Sequence, residues 1–275
     1  MEQRTVASAF SLKGRAIFSD RESAFTLMPG NQGIRFLHPS GQKIIAHAEE
    51  VVATPRSTIL GSGEWRLQMV EHLLSACYGM GIDHADILVE GNELPMLDGS
   101  AWPIVQEIMR VGTESVGVTA EPHTLTRPVI LKEGEKRLMA LPSDHFHVTY
   151  ILSDHRSSLL QQAVTFDGDP KTYIRQVAPS RTYAIYEEIL PLLKGESLSE
   201  SSLSHGMVIE GDRVLNQGGM RSASEMAHHK VLDILGDLSL TGERFKAHIV
   251  GVMSGHAMNC QMAKALSTHF NKEMP

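Results

Sequence analysis

Apolar residues recur along this chain at two spacings, and the change from one to the other marks out its elements. An ideal helix turns by roughly 100° per residue. In HHKVLDILGD, residues 228–237, that rotation puts Val231, Ile234, Leu235 and the following Leu238 on one side. His229, Asp233 and Asp237 follow one another at steps of four along the other side, with Lys230 beside them. EWRLQMVEHLLSACYGMG predicts an earlier helix, with Val70, Leu73, Leu74 and Cys77 on one face and Gly79 and Gly81 at its end. LDGSAWPIVQEIMRVG predicts another, with Asp98 or Ser100 as cap and Gly112 as stop. RAIFSD, SAFTLMP and GIRFLHP, before these helices, and HADILVEG, between them, are short, apolar and bounded by turn residues, so they predict strands.

After a turn-rich joint near residues 113–126 the plan returns. RPVILKE, RLMALPS and HFHVTYILS predict strands, then comes the helix at 228–237, the strand KAHIVGVM and the final helix HAMNCQMAKALSTHF. Strands, helix, strand, helix therefore occurs twice, which is the pattern of an internal repeat. Grouped strands with paired helices predict an α+β protein. It divides into a first α+β domain, 1–118, and a second, 119–275. Residues from about 183 to 218 are extra to the plan: YEEILPLL, a Gly/Ser-rich break (KGESLSESSLSHG) and the strand-like MVIEGDRVLN. An insertion in one copy of a repeat is a place where function concentrates.

Composition narrows the class. With 42% hydrophobic residues in 275, a packed core is affordable and disorder is not indicated. A net charge of −7 speaks against nucleic acid as a general partner. Only two cysteines occur, Cys77 and Cys260, so neither a disulfide framework nor a Cys-rich zinc module is expected, and a reduced, cytoplasmic setting fits. The opening MEQRTVASAF has no signal-peptide core. No apolar run approaches the ~20 residues of a membrane span, which leaves transient contact with a membrane surface open.

The polar stripe of the 228–237 helix has two readings. Opposite an apolar face, it is what a solvated helix surface shows. Imidazole and carboxylate four residues apart also reach one metal ion, but two ligands need a third. Glu71-His72 stands near the start of the corresponding helix in the first half. If the halves pack face to face, His72, His229 and Asp233 meet with a fourth position open, the arrangement of catalytic zinc. Glu71 is then placed to act as general base on water. The bland alternative for Glu71-His72, a polar pair at a helix edge, stays open on spacing alone.

MVEHLLSACYGMGI, GNELPMLDGSAWP, SRTY, RVLN, HKVLDILGDL and SGHAMN occur in this order between residues 70 and 259. Together they resemble the zinc-dependent UDP-3-O-acyl-N-acetylglucosamine deacetylase family of lipid A biosynthesis, over nearly the whole chain. The resemblance implies two similar domains, each of β-sheets with two helices, and an active site between them. It implies Zn2+ held by His72, His229 and Asp233, with Glu71 as base. It also implies that His256 is the protonatable partner, that Asp237 keeps it protonated, that Thr182 polarises the amide carbonyl and that Lys230 helps bind substrate. The implied partner is an acylated UDP-amino-sugar, handled by a monomer.

Where the family carries a turn Gly-Leu-His-Ser/Thr-Gly, this chain has Ala16, Ile17, Phe18, Ser19 and Asp20. In the family an insertion in the second domain walls a passage for the acyl chain. Tyr183, Ile185, Ile189, Leu190, Met207, Val208 and Ile209 are the candidates here, and the ring of Phe18 is expected to narrow or reroute the passage. The altered turn leaves two alternatives to test: a paralogous deacetylase acting on a different acetylated amino sugar, or a non-catalytic binder of sugar nucleotide or lipid.

Overall fold

The computed structural model describes residues 1–194 and 205–273. Two five-stranded sheets share one strand order. In the first, Phe10–Arg15, Glu22–Met28, Ala85–Val89, Ile34–Leu37 and Lys43–Ile45 are neighbours in that sequence. In the second the order is Val129–Glu133, Lys136–Leu141, His248–Val252, His147–Ser153 and Gln161–Phe166. Each is antiparallel except at one pair, where the late strand enters the middle of the sheet beside Ile34–Leu37 or His147–Ser153. Alternation decides the faces: along Glu22–Met28, Ser23, Phe25 and Leu27 turn inward.

The helices are α1 (Glu71–Gly79), α2 (Trp102–Val111), α3 (Pro170–Thr172, continuing as a π-helical turn Tyr173–Val177), α4 (Tyr186–Lys194), α5 (Glu225–Leu238) and α6 (His256–Glu273). The molecule is thus a mixed α+β fold. α1 and α5 pack face to face, and α5 also meets α6 and the strand His147–Ser153. The approach of α1 to α5 requires Gly236, where an added Cβ would lie 2.1 Å from the carbonyl oxygen of Glu71. α5 is consequently buried on both sides, and its polar stripe is not a solvated face: His229, Asp233 and Asp237 are all buried.

Some sequence expectations are corrected. Trp65–Gln68 is not the first turn of α1 but a strand, paired with Ile59–Ser62 in a three-stranded sheet. Trp65 and Leu67 are buried while Arg66 is exposed, a period of two. Met69, at φ 67, then breaks the chain direction before α1. RAIFSD stops being strand at Arg15, and a turn with Asp20 at φ 52 follows. Within the 113–126 joint, Thr113–Thr119 is a strand pairing with Glu2–Val6. For α2, Ser100 Oγ accepts from the Trp102 amide and donates to Asp98, and Gly112 at φ 75 ends the helix.

The insertion forms a three-stranded sheet of Tyr183–Ile185, Met207–Glu210 and Arg213–Val214, with α4 between the first two. Residues 195–204 of its Gly/Ser-rich break lie outside the described residues. Among the described residues no helix is long and apolar enough to cross a membrane.

Candidate active site

A cavity of about 430 Å³ opens where the start of α1, the first half of α5 and the start of α6 meet the insertion. Glu71, His72, Thr182, Tyr183, His229, Lys230, Asp233, His256 and Phe18 all line it. Asp237 stands behind His256, fully buried.

His72, His229 and Asp233 each offer one ligand atom, and these atoms lie within 4.8 Å of one another. The Nδ1–H of His229 donates to the Ser180 carbonyl at 3.0 Å, which leaves a lone pair on Nε2. That Nε2 is 3.3 Å from Asp233 Oδ1, an oxygen that is buried and has no hydrogen-bond partner. Two acceptor atoms thus face each other with no proton between them, an arrangement that costs free energy unless a cation joins them. Burial, then the neighbouring His229, pushes His72 down to about 3, so its imidazole is neutral. Burial also lowers His229. For Asp233 burial works toward the acid form, but Lys230 and His229 overcome it and hold the carboxylate below its usual range. Two neutral imidazoles and one ionised carboxylate suit zinc or a similar dication.

Glu71 is buried on the cavity floor, and Oε2 accepts from the Thr58 amide at 3.0 Å. Burial raises it to about 7, so it exchanges a proton near neutrality. Its Oε1 lies 3.8 Å from His256 Nε2. His256 Nδ1 donates to Asp237 Oδ2 at 2.8 Å. Burial opposes a charge on His256, yet Asp237, Asp233 and Glu71 outweigh it and push the imidazole up to about 10. The cavity therefore holds a neutral or ionised carboxyl beside an imidazolium, which is what paired proton transfer needs. Lys230 donates from Nζ to Asp233 Oδ2 at 2.9 Å and sits 5.4 Å from the centre of the Tyr183 ring. Burial opposes its charge too, but Asp233 raises it above the ordinary lysine range.

Thr182 is held by its backbone. Its amide donates to the Gly99 carbonyl and its carbonyl accepts from the Met207 amide, both at 2.7 Å. This straps the LDGSA segment to the insertion, and it accounts for Gly99, at φ 83, where an added Cβ would meet the His205 carbonyl oxygen at 2.2 Å. Phe18 is partly buried at the cavity wall. The amides of Phe18 and Ser19 both donate to the buried carboxylate of Glu93, each at 2.9 Å. Of the proposed passage residues, Tyr183, Ile189, Met207 and Val208 line the cavity. Ile185 and Ile209 do not: they pair across two strands and join the hydrophobic core. Leu190 is half-buried and also lies off the cavity wall.

Thr58, Ser180 and Glu93 are not legible as site residues from spacing. Glu93 and Ser180 have only the signal of their place in the GNELPMLDGSAWP and SRTY blocks, and Thr58 lies outside every block.

Residues 3–268 match the family described as UDP-3-O-acyl N-acetylglycosamine deacetylase. Among curated relatives, a UDP-3-O-acyl-N-acetylglucosamine deacetylase of Chlamydia muridarum is 34% identical over 96% of this chain and 94% of its own. The proteins of that name from Citrifermentans bemidjiense and Anaeromyxobacter dehalogenans are 30% and 34% identical, covering 96% and 95% of this chain and 88% and 86% of theirs.

Proposed function

This chain belongs to the UDP-3-O-acyl N-acetylglycosamine deacetylase family, and from that premise we propose that it is a zinc-dependent N-deacetylase of UDP-3-O-acyl-N-acetylglucosamine in lipid A biosynthesis, releasing acetate. The observation that carries the reading is the convergence of His72, His229 and Asp233 on a cavity that also holds Glu71 and His256.

His72, His229 and Asp233 would hold the metal. A zinc ion bound there would supply Lewis acidity, polarising a carbonyl and acidifying water. Glu71 takes a proton from the attacking water, a task matched to a carboxyl poised near 7. The Thr182 hydroxyl donates to the amide oxygen as charge builds on it. His256, kept charged by Asp237, gives its proton to the departing amine. The C–N bond breaks, leaving acetate and the free glucosamine amine. Lys230 and Tyr183 bind the sugar nucleotide, and Tyr183, Ile189, Met207 and Val208 receive the acyl chain, with Phe18 narrowing its path.

In this reading residues 1–118 and 119–275 are two similar domains and the site lies between them. The shared strand order of the two sheets supports it, as does the supply of Phe18, Glu71 and His72 by one half and of Thr182, His229, Lys230, Asp233 and His256 by the other. In this reading the protein works as a cytoplasmic monomer; two free, buried cysteines suit a reducing compartment.

The test is acetate release by metal-loaded protein from UDP-3-O-acyl-N-acetylglucosamine, with non-acylated UDP-N-acetylglucosamine beside it. Chelation and Glu71→Gln should each remove most of the turnover. Equal hydrolysis of the two substrates would transfer the reading to another acetylated amino sugar, and binding without turnover would leave a binder.

A further inference from the structure

Thr58 lies behind the cavity, fully buried and outside every block that marks the site. It touches both Glu71 and Asp237. Its amide donates to Glu71 Oε2 at 3.0 Å, and its hydroxyl donates to Asp237 Oδ1 at 2.5 Å. From Asp237 the contacts continue through Oδ2 to His256 Nδ1 at 2.8 Å, and His256 Nε2 returns to within 3.8 Å of Glu71 Oε1. The four residues thus close a ring. Asp237 Oδ2 is fixed a second time, by Asn259 Nδ2 at 3.0 Å.

The backbone around this ring is unusual. Arg56, two residues before Thr58, has φ 63, and Met69, two residues before Glu71, has φ 67. Both side chains line the cavity. Non-glycine residues in this region persist only where their surroundings impose them, and they cluster at functional sites. Here they flank the two residues joined by the Thr58–Glu71 hydrogen bond.

We propose that Thr58 is a positioning residue that locks the base Glu71 and the acid pair Asp237–His256 into one frame. The inference rests on the roles given to Glu71 and His256 above. The two groups must serve the same amide, one on its carbon side and one at its nitrogen, so their spacing has to be fixed before substrate enters. Thr58 supplies both constraints from a single residue. Its amide turns one Glu71 oxygen away from the cavity and leaves the other facing it. Its hydroxyl orients Asp237 so that the opposite oxygen meets the imidazole. Threonine suits the place because its methyl group fills the buried space and limits the hydroxyl's rotamers.

The test uses the metal-loaded enzyme with Thr58→Val and Thr58→Ser, each in the wild type and in an Asp237→Asn background. Valine keeps the shape and the amide but removes the hydroxyl; serine keeps the hydroxyl. Thr58→Val is expected to lower kcat by about 10- to 100-fold, the scale of a misplacement of about 1 Å. KM and metal content should stay within about twofold of wild type. Thr58→Ser should restore most of the rate. In the Asp237→Asn background the valine change should add less than about a twofold further loss, since both act through one contact. If valine does not fold, Thr58→Ala, which leaves room for a water, makes the same comparison. The inference is overturned by an unchanged kcat in the hydroxyl-free variant, by losses that multiply with Asp237→Asn, or by equal defects in serine and valine. An active wild type with a dead Glu71→Gln and an intact Thr58→Val sinks only this inference; an inactive wild type takes the parent reading down with it.

Discussion

Asp237→Asn should move the alkaline limb of the pH–rate profile. The substitution deletes one negative charge whose oxygen lies 2.8 Å from His256 Nδ1, while an amide oxygen can still accept from that nitrogen. At an effective dielectric constant of about 20, two unit charges at that separation interact by about 6 kcal/mol. At 1.36 kcal/mol per pH unit this is worth about 4 units. Asp233 and Glu71 remain and keep part of the elevation, while burial continues to oppose the charge. The imidazole, now at about 10, should fall by about 2–4 units. The sign follows from its role. In the proposed mechanism His256 acts protonated, so the rate falls as pH rises through its pKa, and a lower pKa brings that fall toward neutrality. Glu71 acts ionised, so the rate climbs through about 7, or lower where a bound cation favours the carboxylate. The wild-type plateau between the two limbs should therefore shrink to a narrow peak in the mutant. The measurement is kcat/KM from about pH 5 to about pH 10, which reports the free enzyme, with circular dichroism to check the fold. An alkaline limb within about one unit of wild type would refute both the charge coupling and the acid role of His256.

Other expectations follow from single contacts. His229→Ala should abolish stoichiometric zinc binding, and elemental analysis showing equal metal in mutant and wild type removes the proposed centre. Gly236→Ala should force α1 from α5, because the new Cβ would lie 2.1 Å from the Glu71 carbonyl oxygen; a loss of about 1–3 kcal/mol or more in denaturant unfolding, with slower turnover, is expected. Unchanged stability there would mean that the helices do not meet as closely as described. Phe18→Gly should shift the acyl-length preference toward longer chains, each accepted methylene adding up to ~0.8 kcal/mol; an unchanged kcat/KM series would show that the ring does not face the chain.

Local spacing carried part of this site and could not carry the rest. His229 and Asp233 are four residues apart on one helix, so their partnership is visible in a short window. His72 became a candidate only through the repeat, which is legible in element order. Thr58 is invisible because its contact to Glu71 uses a backbone amide and its hydroxyl reaches Asp237, 179 positions away. Glu93 acts on the backbone of the altered turn and has no periodic signature. Gly236 inside a helix reads as a cost of about 1 kcal/mol relative to alanine, and only the crossing helix explains it. Trp65–Gln68 fits both spacings in the sequence, and only its pairing with Ile59–Ser62 fixes it as a strand.

The reach of the Thr58–Asp237 bond also imposes a timetable. The two residues are separated by 179 positions, and at roughly 5–20 residues per second the ribosome needs about 10–35 s to deliver the second after the first. Over that interval α1 has been made but the helix that covers Glu71 and His72 has not. The nascent chain thus carries an uncovered apolar flank and the uncovered side chains of Glu71 and His72 until α5 is made. In the proposed mechanism the proton-transfer groups are complete only once α5 and α6 have both been made, so chains that stop short of residue 256 are expected to lack turnover, having Glu71 and His72 but not His256.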